Sequence, residues 1–320
     1  MASLPSLEML LRGSARALVI GVGGGGDVVG ALVTARLLEF CGVDFRLGGL
    51  SWERWVIDPL PGPRSLAEVE DVKVIHPRAW LANPRSRTKE GAYFAESKMA
   101  EIHGRETLLV DINGGVQGVV AGLEAATAAL GCDLLVGVDV GGDSLAQGEE
   151  SGLRSPLADS IMLAAYAELA ERGRNALWAL FGYGSDGELD TDEIELALSK
   201  VARAGGLLGA WGLTQAMVAE LERVIREVET EASAVPVDCA RGAWGEKGIR
   251  HGERRVKLTP LATLTFFLSP LRLYESLSKP AQAVRSSASL EEANDALHKI
   301  GLKTELDREQ ERYKTQKTTR

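Results

Sequence analysis

Short apolar runs alternate along the first 180 or so residues with longer stretches in which apolar positions recur every three or four residues. The runs ALVIGV (17–22), DFRLGGL (44–50), VKVIH (72–76), TLLVDI (107–112), DLLVGVD (133–139) and NALWALFG (175–182) have strand length. Several are apolar throughout, as expected of strands covered on both faces of a parallel sheet. Amphipathic segments such as 28–40 and 116–130 lie between them. Strand and helix in alternation imply right-handed crossovers. The fold class expected is therefore α/β: a Rossmann-like, doubly wound, mostly parallel sheet with helices on both faces.

The last third is less regular. Residues 191–203 and 211–232 read as helices, the first opened by the capping pair Asp190 and Glu193. RRVKLTPLATLTFFL (254–268) reads as two short strands broken at Pro260. Ser289 and Glu292 form a capping box ahead of the stripe Leu290, Ala293, Leu297 and Ile300, with Gly301 as the stop. From Lys303 onward the chain is polar and charged, the pattern of a frayed, solvated tail. The organisation expected is an α/β domain over 1–270, a helical C-terminal extension packed on it over 271–302, and a charged tail over 303–320.

Composition narrows the function classes. With 45% apolar residues among 320, a sizeable core can be buried. A net charge of −9 argues against a general nucleic-acid binder. No apolar run reaches membrane-spanning length and the N-terminus lacks a signal-peptide layout, so a cytoplasmic protein with no membrane partner is expected. The three cysteines, Cys41, Cys132 and Cys239, form neither a disulfide framework nor a metal knuckle. Cys41 and Cys132 each stand where a helix gives way to a strand and read as small buried apolar residues.

The candidate chemistry lies at the strand ends. ALVIGVGGGGDVVGALV (17–33) places Gly23, Gly24, Gly25 and Gly26 after the first strand, closed by Asp27. Glycines there permit positive φ and bring bare N–H groups toward an anion, and the following helix adds its positive N-terminus. Gly21, Gly23 and Gly26 match GxGxxG, but the acid that a dinucleotide site requires at the end of the second strand is missing: Asp44 stands at that strand's start, and after Leu50 only Glu53 is available. No Lys-Ser/Thr follows, so this is not a Walker loop. An acid at the mouth of an anion-binding loop makes chemical sense if a divalent cation bridges it to phosphate, or if it grips a substrate hydroxyl or amine. As a helix N-cap, Asp27 also has a purely structural reading.

Two further strands end in the same chemistry. LLVDINGG presents Asp111, Asn113 and Gly114; LLVGVDVGGDSL presents Asp139, Gly141, Gly142, Asp143 and Ser144. The tips of parallel strands can converge on one cleft, and crowded carboxylates there call for a cation, shared protons or arginine partners. Oxygen-only ligands suit Mg²⁺, with Asp139 and Asp143 as its ligands. Separate caps and turns at three unrelated loops are the alternative. Arg154, in GEESGLRSPLADS (148–160), and Arg250, in the glycine-rich basic run RGAWGEKGIRHGERR (241–255), are candidate anion clamps. That run reads as a mobile lid or as an ordinary surface loop. DGELDTDEIELA, from Asp186, imitates a calcium loop but has Thr191 at the sixth position and Ala197 at the twelfth, so it reads as a loop and helix start. GDSLA around Ser144 approaches a nucleophile elbow, with His251 the best histidine for a triad, but ends in Ala146.

The blocks GVGGGGDVVGAL, GVDVGGDSLAQGEESGLRSPLADSIMLAA and RRVKLTPLATLTFF, spanning most of residues 15 to 270, resemble the signatures of a mainly archaeal family known as a conserved domain of unknown function. In bacterial relatives the first block resembles a glycine run closed by Phe-Asp, so Asp27 matches while Gly26 replaces an aromatic residue. The middle block there often has Gly-Gly-Thr-Asp-Ser-Leu, and here GGDSL keeps Asp143 and Ser144. The resemblance implies a Rossmann-like protein and one site built from these loops, and it implies no reaction. GVGGGGDVVGA also resembles, over a short stretch, a glycine-rich motif of the D-glutamate cyclase domain.

The function expected is an enzyme binding a phosphorylated or nucleotide-linked small molecule, with Mg²⁺-dependent phosphoryl or related group transfer. In that reading Asp27, Asp139 and Asp143 are catalytic, and Asp111, Asn113, Gly114, Gly141, Gly142, Ser144, Arg154 and Arg250 join the four glycines in binding the ligand. A lyase or cyclase acting on an amino or hydroxy acid and a non-enzymatic ligand sensor are the alternatives, and a homo-oligomer is left open.

Overall fold

The computed structural model describes residues 6–318. The chain runs through α1 (Leu7–Arg12), β1 (Arg16–Gly21), α2 (Asp27–Phe40), β2 (Asp44–Leu50), β3 (Val69–His76), β4 (Ala79–Thr88), α3 (Ala95–His103), β5 (Thr107–Val110), α4 (Gly115–Leu130), β6 (Leu134–Val140), α5 (Pro156–Glu171), β7 (Ala176–Phe181) and α6 (Thr191–Arg203). It continues through β8 (Leu207–Gly212), α7 (Gln215–Glu227), α8 (Glu231–Ala240), β9 (Gly245–Ile249), β10 (Arg254–Leu258), β11 (Leu264–Leu268), α9 (Pro270–Ser276), α10 (Lys279–Val284), α11 (Leu290–Lys299) and α12 (Glu305–Thr318).

Nine strands form one sheet in the order β3-β4-β5-β2-β1-β6-β7-β11-β8, and β9 and β10 form a separate hairpin. The five central strands are parallel, with Ala17 of β1 flanked by Phe45 of β2 and Leu134 of β6. β4 and β3 on one side and β11 on the other run antiparallel to their neighbours. Counting only the parallel strands in chain order, the sheet reads third, second, first, fourth, fifth. The order reverses between β1 and β6, and an open α/β sheet carries its ligand crevice beyond the carboxyl ends of the strands at such a reversal.

Side-chain alternation explains why both faces are covered. In β1, Leu18 and Ile20 point into one core while Ala17 and Val19 point into the other. The first core is closed by α4, α5 and the C-terminal helices, the second by α2 and α7. α5 is apolar at nearly every position, so it is buried all round, against the sheet on one side and against α9, α10 and α11 on the other. No helix among the described residues is long and apolar enough to cross a membrane.

Several sequence readings need correction. The helix expected over 211–232 begins too early: its first two residues end β8, the next helix starts at its Thr214 cap, and the extended backbone at Val228 with the Thr230 cap splits the rest into α7 and α8. β4 carries Pro84, Arg85 and Arg87, a composition unlike a strand's, and pairs with β5 through its apolar first half. Cys41 is exposed, whereas Cys132 is buried. The expected frayed tail from Lys303 contains helix α12, which is polar because it is mostly exposed, with Leu306 its one buried residue. Its acids are anchors: Glu305 accepts from the N–H groups of Leu157 (3.0 Å) and Ala158 (2.8 Å), and Glu309 accepts from Trp52 Nε1 (3.0 Å) and Gly62 N (2.8 Å).

Candidate functional site

The glycine loop joins β1 to α2 at the reversal point. Gly24 and Gly25 have φ of +79° and +53°, the left-handed region in which a side chain is strained. The loop is also pressed by its own protein. A Cβ on Gly24 would stand 2.8 Å from the Trp52 carbonyl oxygen, one on Gly25 would stand 2.6 Å from Arg54 Cγ, and one on Gly26 would stand 2.5 Å from Thr230 Cβ. The glycine run therefore answers first to close packing of the chain, and a ligand is not needed to explain it. Gly25 N–H donates to Trp52 O (2.9 Å) and Gly23 N–H donates to Asp27 Oδ2 (3.0 Å). Gly24→Val and Gly25→Val should accordingly each lower the melting temperature of the ligand-free protein, the backbone strain alone costing about 1–3 kcal/mol. A thermal melt unchanged from the parent would show that the loop has room to spare.

Acids converge on this point from three strand ends. Asp27 opens α2; Asp139 is the penultimate residue of β6; Asp143 stands just beyond it; Asp159 lies in the first turn of α5; and Asp186 and Glu188 come from the loop after β7. One carboxylate oxygen from each of Asp139, Asp143 and Asp159 lies within 4.8 Å of the other two, and the same holds for Asp143, Asp186 and Glu188. A Cβ on Gly23 would meet Asp27 Oδ2 at 2.7 Å and Asp159 Oδ2 at 3.7 Å, which places the glycine loop at the edge of the cluster. Gly141, at φ +127°, lets Asp186 come so close that a Cβ there would stand 2.3 Å from Asp186 Cγ. All six acids are buried or nearly so.

Hydrogen bonds satisfy some of these carboxylates and leave others bare. Asp139 accepts from Gly142 N (3.1 Å), Ser144 N (3.2 Å) and the Ser144 hydroxyl. Glu188 accepts from the N–H groups of Arg154 (2.6 Å) and Ser155 (2.9 Å) and from the Ser155 hydroxyl, and it forms an ion pair with Arg254 (Nη1 to Oε1 2.9 Å), whose Nη1 donates to Asp186 O (3.0 Å). By contrast, both oxygens of Asp159 and Oδ2 of Asp186 are buried without a hydrogen-bond partner among the described residues. Burial pushes Asp27 up to about 8, helped by the charge of Asp139 and opposed by the N–H groups of Gly23 and Val140 and by Arg250. Burial, then the neighbouring carboxylates, holds Asp143 and Asp159 well above the ordinary carboxylate range. Asp186 is raised in the same way, with Glu188 the first of its charged neighbours. So dense a group of acids away from water cannot be fully ionised unless positive charge is supplied.

Positive charge rims the glycine loop. Arg250 is partly buried at the turn of the β9–β10 hairpin, and its guanidinium is held below its ordinary pKa by burial and by the nearby cations Arg254 and Arg54. Neither Arg54 nor Arg250 closes an ion pair or donates a side-chain hydrogen bond among the described residues, and Arg54 Nε is buried without a partner. Arg250 and His251 both adopt left-handed backbone, at φ +52° and +57°, a strain typical of functional turns. The rest of the basic run is not a free loop. Arg241 pairs with Glu222, Lys247 with Asp238, Arg255 with Glu246 and Arg254 with Glu188, and β9 pairs with β10.

Other sequence candidates are placed elsewhere or differently. Asp111 accepts from Arg78 Nη1 (2.6 Å) and from the backbone and side-chain nitrogens of Asn113, whose amide also reaches Pro63 O (3.2 Å). Gly114 packs on Arg78. These residues follow β5, two strands from β1 or roughly 10 Å by strand spacing, and the third loop's acid is thus engaged with its own arginine rather than with the cluster. Arg154 contributes its backbone N–H, while its exposed guanidinium turns back to the Ser151 and Leu153 carbonyls. Ser144 is buried, donating to Asp139 and accepting from Trp178 Nε1 (2.9 Å), which suits a positioning hydroxyl rather than a nucleophile. Glu53 accepts from Ala95 N (2.5 Å) at the start of α3 and is not free to hold a ribose.

Asp159, Asp186, Glu188, Arg54 and Arg254 are the residues that sequence reasoning did not select. Asp159 looks like an ordinary first-turn acid, and Asp186 and Glu188 sit in the calcium-loop imitation. The available signal was position: each acid follows a predicted strand end or opens the next helix.

A family model described as a protein of unknown function (DUF1152) matches residues 18–313. No curated protein and no solved structure matches the chain.

Proposed function

The chain belongs to the DUF1152 family, and from its site we propose a divalent-cation-dependent enzyme, with Mg²⁺ as the natural ion, that transfers a phosphoryl or related group on a phosphorylated or nucleotide-linked small molecule. One juxtaposition carries the reading. A dry cluster of acids, two of them with unpartnered oxygens, lies beside a glycine loop rimmed by Arg54 and Arg250, whose guanidinium groups have no protein acceptor among the described residues. Acids that need a cation and arginines that need an anion are satisfied together by a metal–phosphate pair. Oxygen-only ligands favour a hard cation that keeps part of its water shell and takes a phosphate oxygen. Phosphoryl transfer asks little more of a protein than positioning and charge stabilisation. Asp139, Asp143 and Asp159 would hold the cation, with Ser144 and Gly142 orienting Asp139. Arg54 and Arg250 would take the non-bridging phosphate oxygens, and Asp27, whose proton is retained near neutral pH, is placed to exchange a proton with the reacting group.

Calorimetric titration with pyrophosphate and with ADP, in Mg²⁺ and in chelator, tests this. Binding should require Mg²⁺, and Arg54→Met and Arg250→Met should each weaken it at least about tenfold, equivalent to about 1.4 kcal/mol, while leaving Mg²⁺ binding itself intact. Phosphate binding that ignores both the cation and the arginines would overturn the assignment. Phosphorus NMR on a panel of phosphate esters then separates an enzyme from a sensor, which would bind without turnover.

A further inference from the structure

We infer that the acid cluster is built for two divalent cations rather than one, with Asp143 shared between them. This rests on the cation-dependent reading above and deepens it. Five of the six acids fall into two sets, Asp139–Asp143–Asp159 and Asp143–Asp186–Glu188, in each of which one carboxylate oxygen per residue lies within 4.8 Å of the others; only Asp143 belongs to both, and Asp27 stands outside them. Each set contains a side chain with at least one oxygen that has no other use, although Asp186 Oδ1 accepts from Glu188 N (3.3 Å). Both oxygens of Asp159 and Oδ2 of Asp186 are buried without a hydrogen-bond partner, and the two residues are 2% and 6% exposed. A structural acid at such depth would be capped by N–H groups or paired with arginine, as Asp139, Glu188 and Asp111 are.

Glycine geometry supports the second position separately from the first. Gly141 and Gly142 adopt φ of +127° and +122°, and Gly141 is the residue that admits Asp186 against the end of β6. Ser155 Oγ touches both Asp143 Oδ2 (3.3 Å) and Glu188 and so fixes the carboxylates of this set relative to each other. The two sets are not equal in ligand strength. Glu188 Oε1 already accepts from Ser155 and is ion-paired with Arg254, so the second ion would depend mainly on Asp143 and Asp186. Paired divalent cations clamp both the entering and the leaving oxygen in displacement at phosphorus. The second set thus extends the site in the direction the proposed chemistry needs.

Mn²⁺ serves as the probe, applied to the full chain at pH 8 and followed by equilibrium dialysis and electron paramagnetic resonance. The parent protein should hold two Mn²⁺ per chain with a spin-coupled spectrum. Asp186→Asn should hold one, with the uncoupled six-line signal, and Glu188→Gln should weaken the second ion without removing it. A parent stoichiometry of one, with an uncoupled signal that Asp159→Asn abolishes, would overturn the two-ion centre and leave the single-cation reading standing. No bound Mn²⁺ at millimolar concentration would overturn both. The parent measurement decides the matter even if a variant folds poorly.

Discussion

Stripped of divalent cations, the protein should lose stability steadily as pH rises from 5 to 9, and Mg²⁺ should restore it at the alkaline end. Burial first, and then the charge of Asp139, raises Asp27 from 3.8 to about 8. Burial likewise raises Glu305 from 4.5 to about 8, against the N–H groups of Leu157 and Ala158. Asp143, Asp159 and Asp186 are raised in the same direction. Each of these carboxyls keeps its proton in the folded chain over a range where the unfolded chain has released it. Between about pH 4 and pH 8 the folded state therefore binds more protons, and stability falls as pH rises. For Asp27 alone the shift corresponds to on the order of 5 kcal/mol, a large part of an ordinary domain's stability. Arg250 opposes this and Arg254 does so for Asp186, but both are included in the shifts just given.

Melting curves in chelator should thus drop by about 10 °C or more between pH 5 and pH 9. Mg²⁺ at a hundredfold excess over its Kd should return about 2.7 kcal/mol by mass action. The gain should be present at pH 8 and absent at pH 5, because protons and cations compete for the same oxygens. A flat profile in chelator, or a Mg²⁺ effect independent of pH, would mean that the acids are balanced by groups other than cations.

The fold was legible where the chain repeats one physical pattern. All six apolar runs are strands, and the five in the parallel centre follow from burial on both faces. VKVIH also became a strand, but on the antiparallel edge of the sheet, where half its side chains face water. β9, with Glu246, Lys247 and two glycines, and the second half of β4, with Pro84, Arg85 and Arg87, carry no strand pattern of their own, while the apolar run of β8 is interrupted by Gly209. The same division governs the site. Asp27, Asp139 and Asp143 announce themselves by standing among glycines at strand ends, and the structure brings these three together. Asp111 carries the same local signature and is drawn off by Arg78, which stands 33 residues earlier in β-hairpin sequence that gives no hint of the pairing. Asp159, Asp186 and Arg54 reach the site through tertiary packing, and position beside a helix start or strand end is the only local sign that the two acids carry. The glycine run has a second cause that its own residues do not show, since Trp52, Arg54 and Thr230 press against it.

Asp159→Asn should act on stability and on cation binding with opposite signs. In the parent, Asp159 is a buried carboxyl with no hydrogen-bond donor, surrounded by Asp27, Asp139, Glu188 and Glu305. Replacing it with a neutral isostere removes one titrating acid and gives its neighbours an amide donor. At pH 8 in chelator the variant should therefore melt several degrees above the parent, and the difference should shrink as pH falls and Asp159 takes up its proton. With Mg²⁺ the order should reverse, because a first-set oxygen ligand is gone; affinity should fall about a hundredfold, or about 2.7 kcal/mol. A residue that merely supports the fold cannot show this pattern, since losing it lowers stability with and without the ion. Asp111→Asn supplies that contrast. It breaks the contact with Arg78 and should cost about 1–3 kcal/mol equally in chelator and in Mg²⁺. If Asp159→Asn instead destabilises the cation-free protein at pH 8, the unpartnered oxygens are structural and the cation assignment loses its main support.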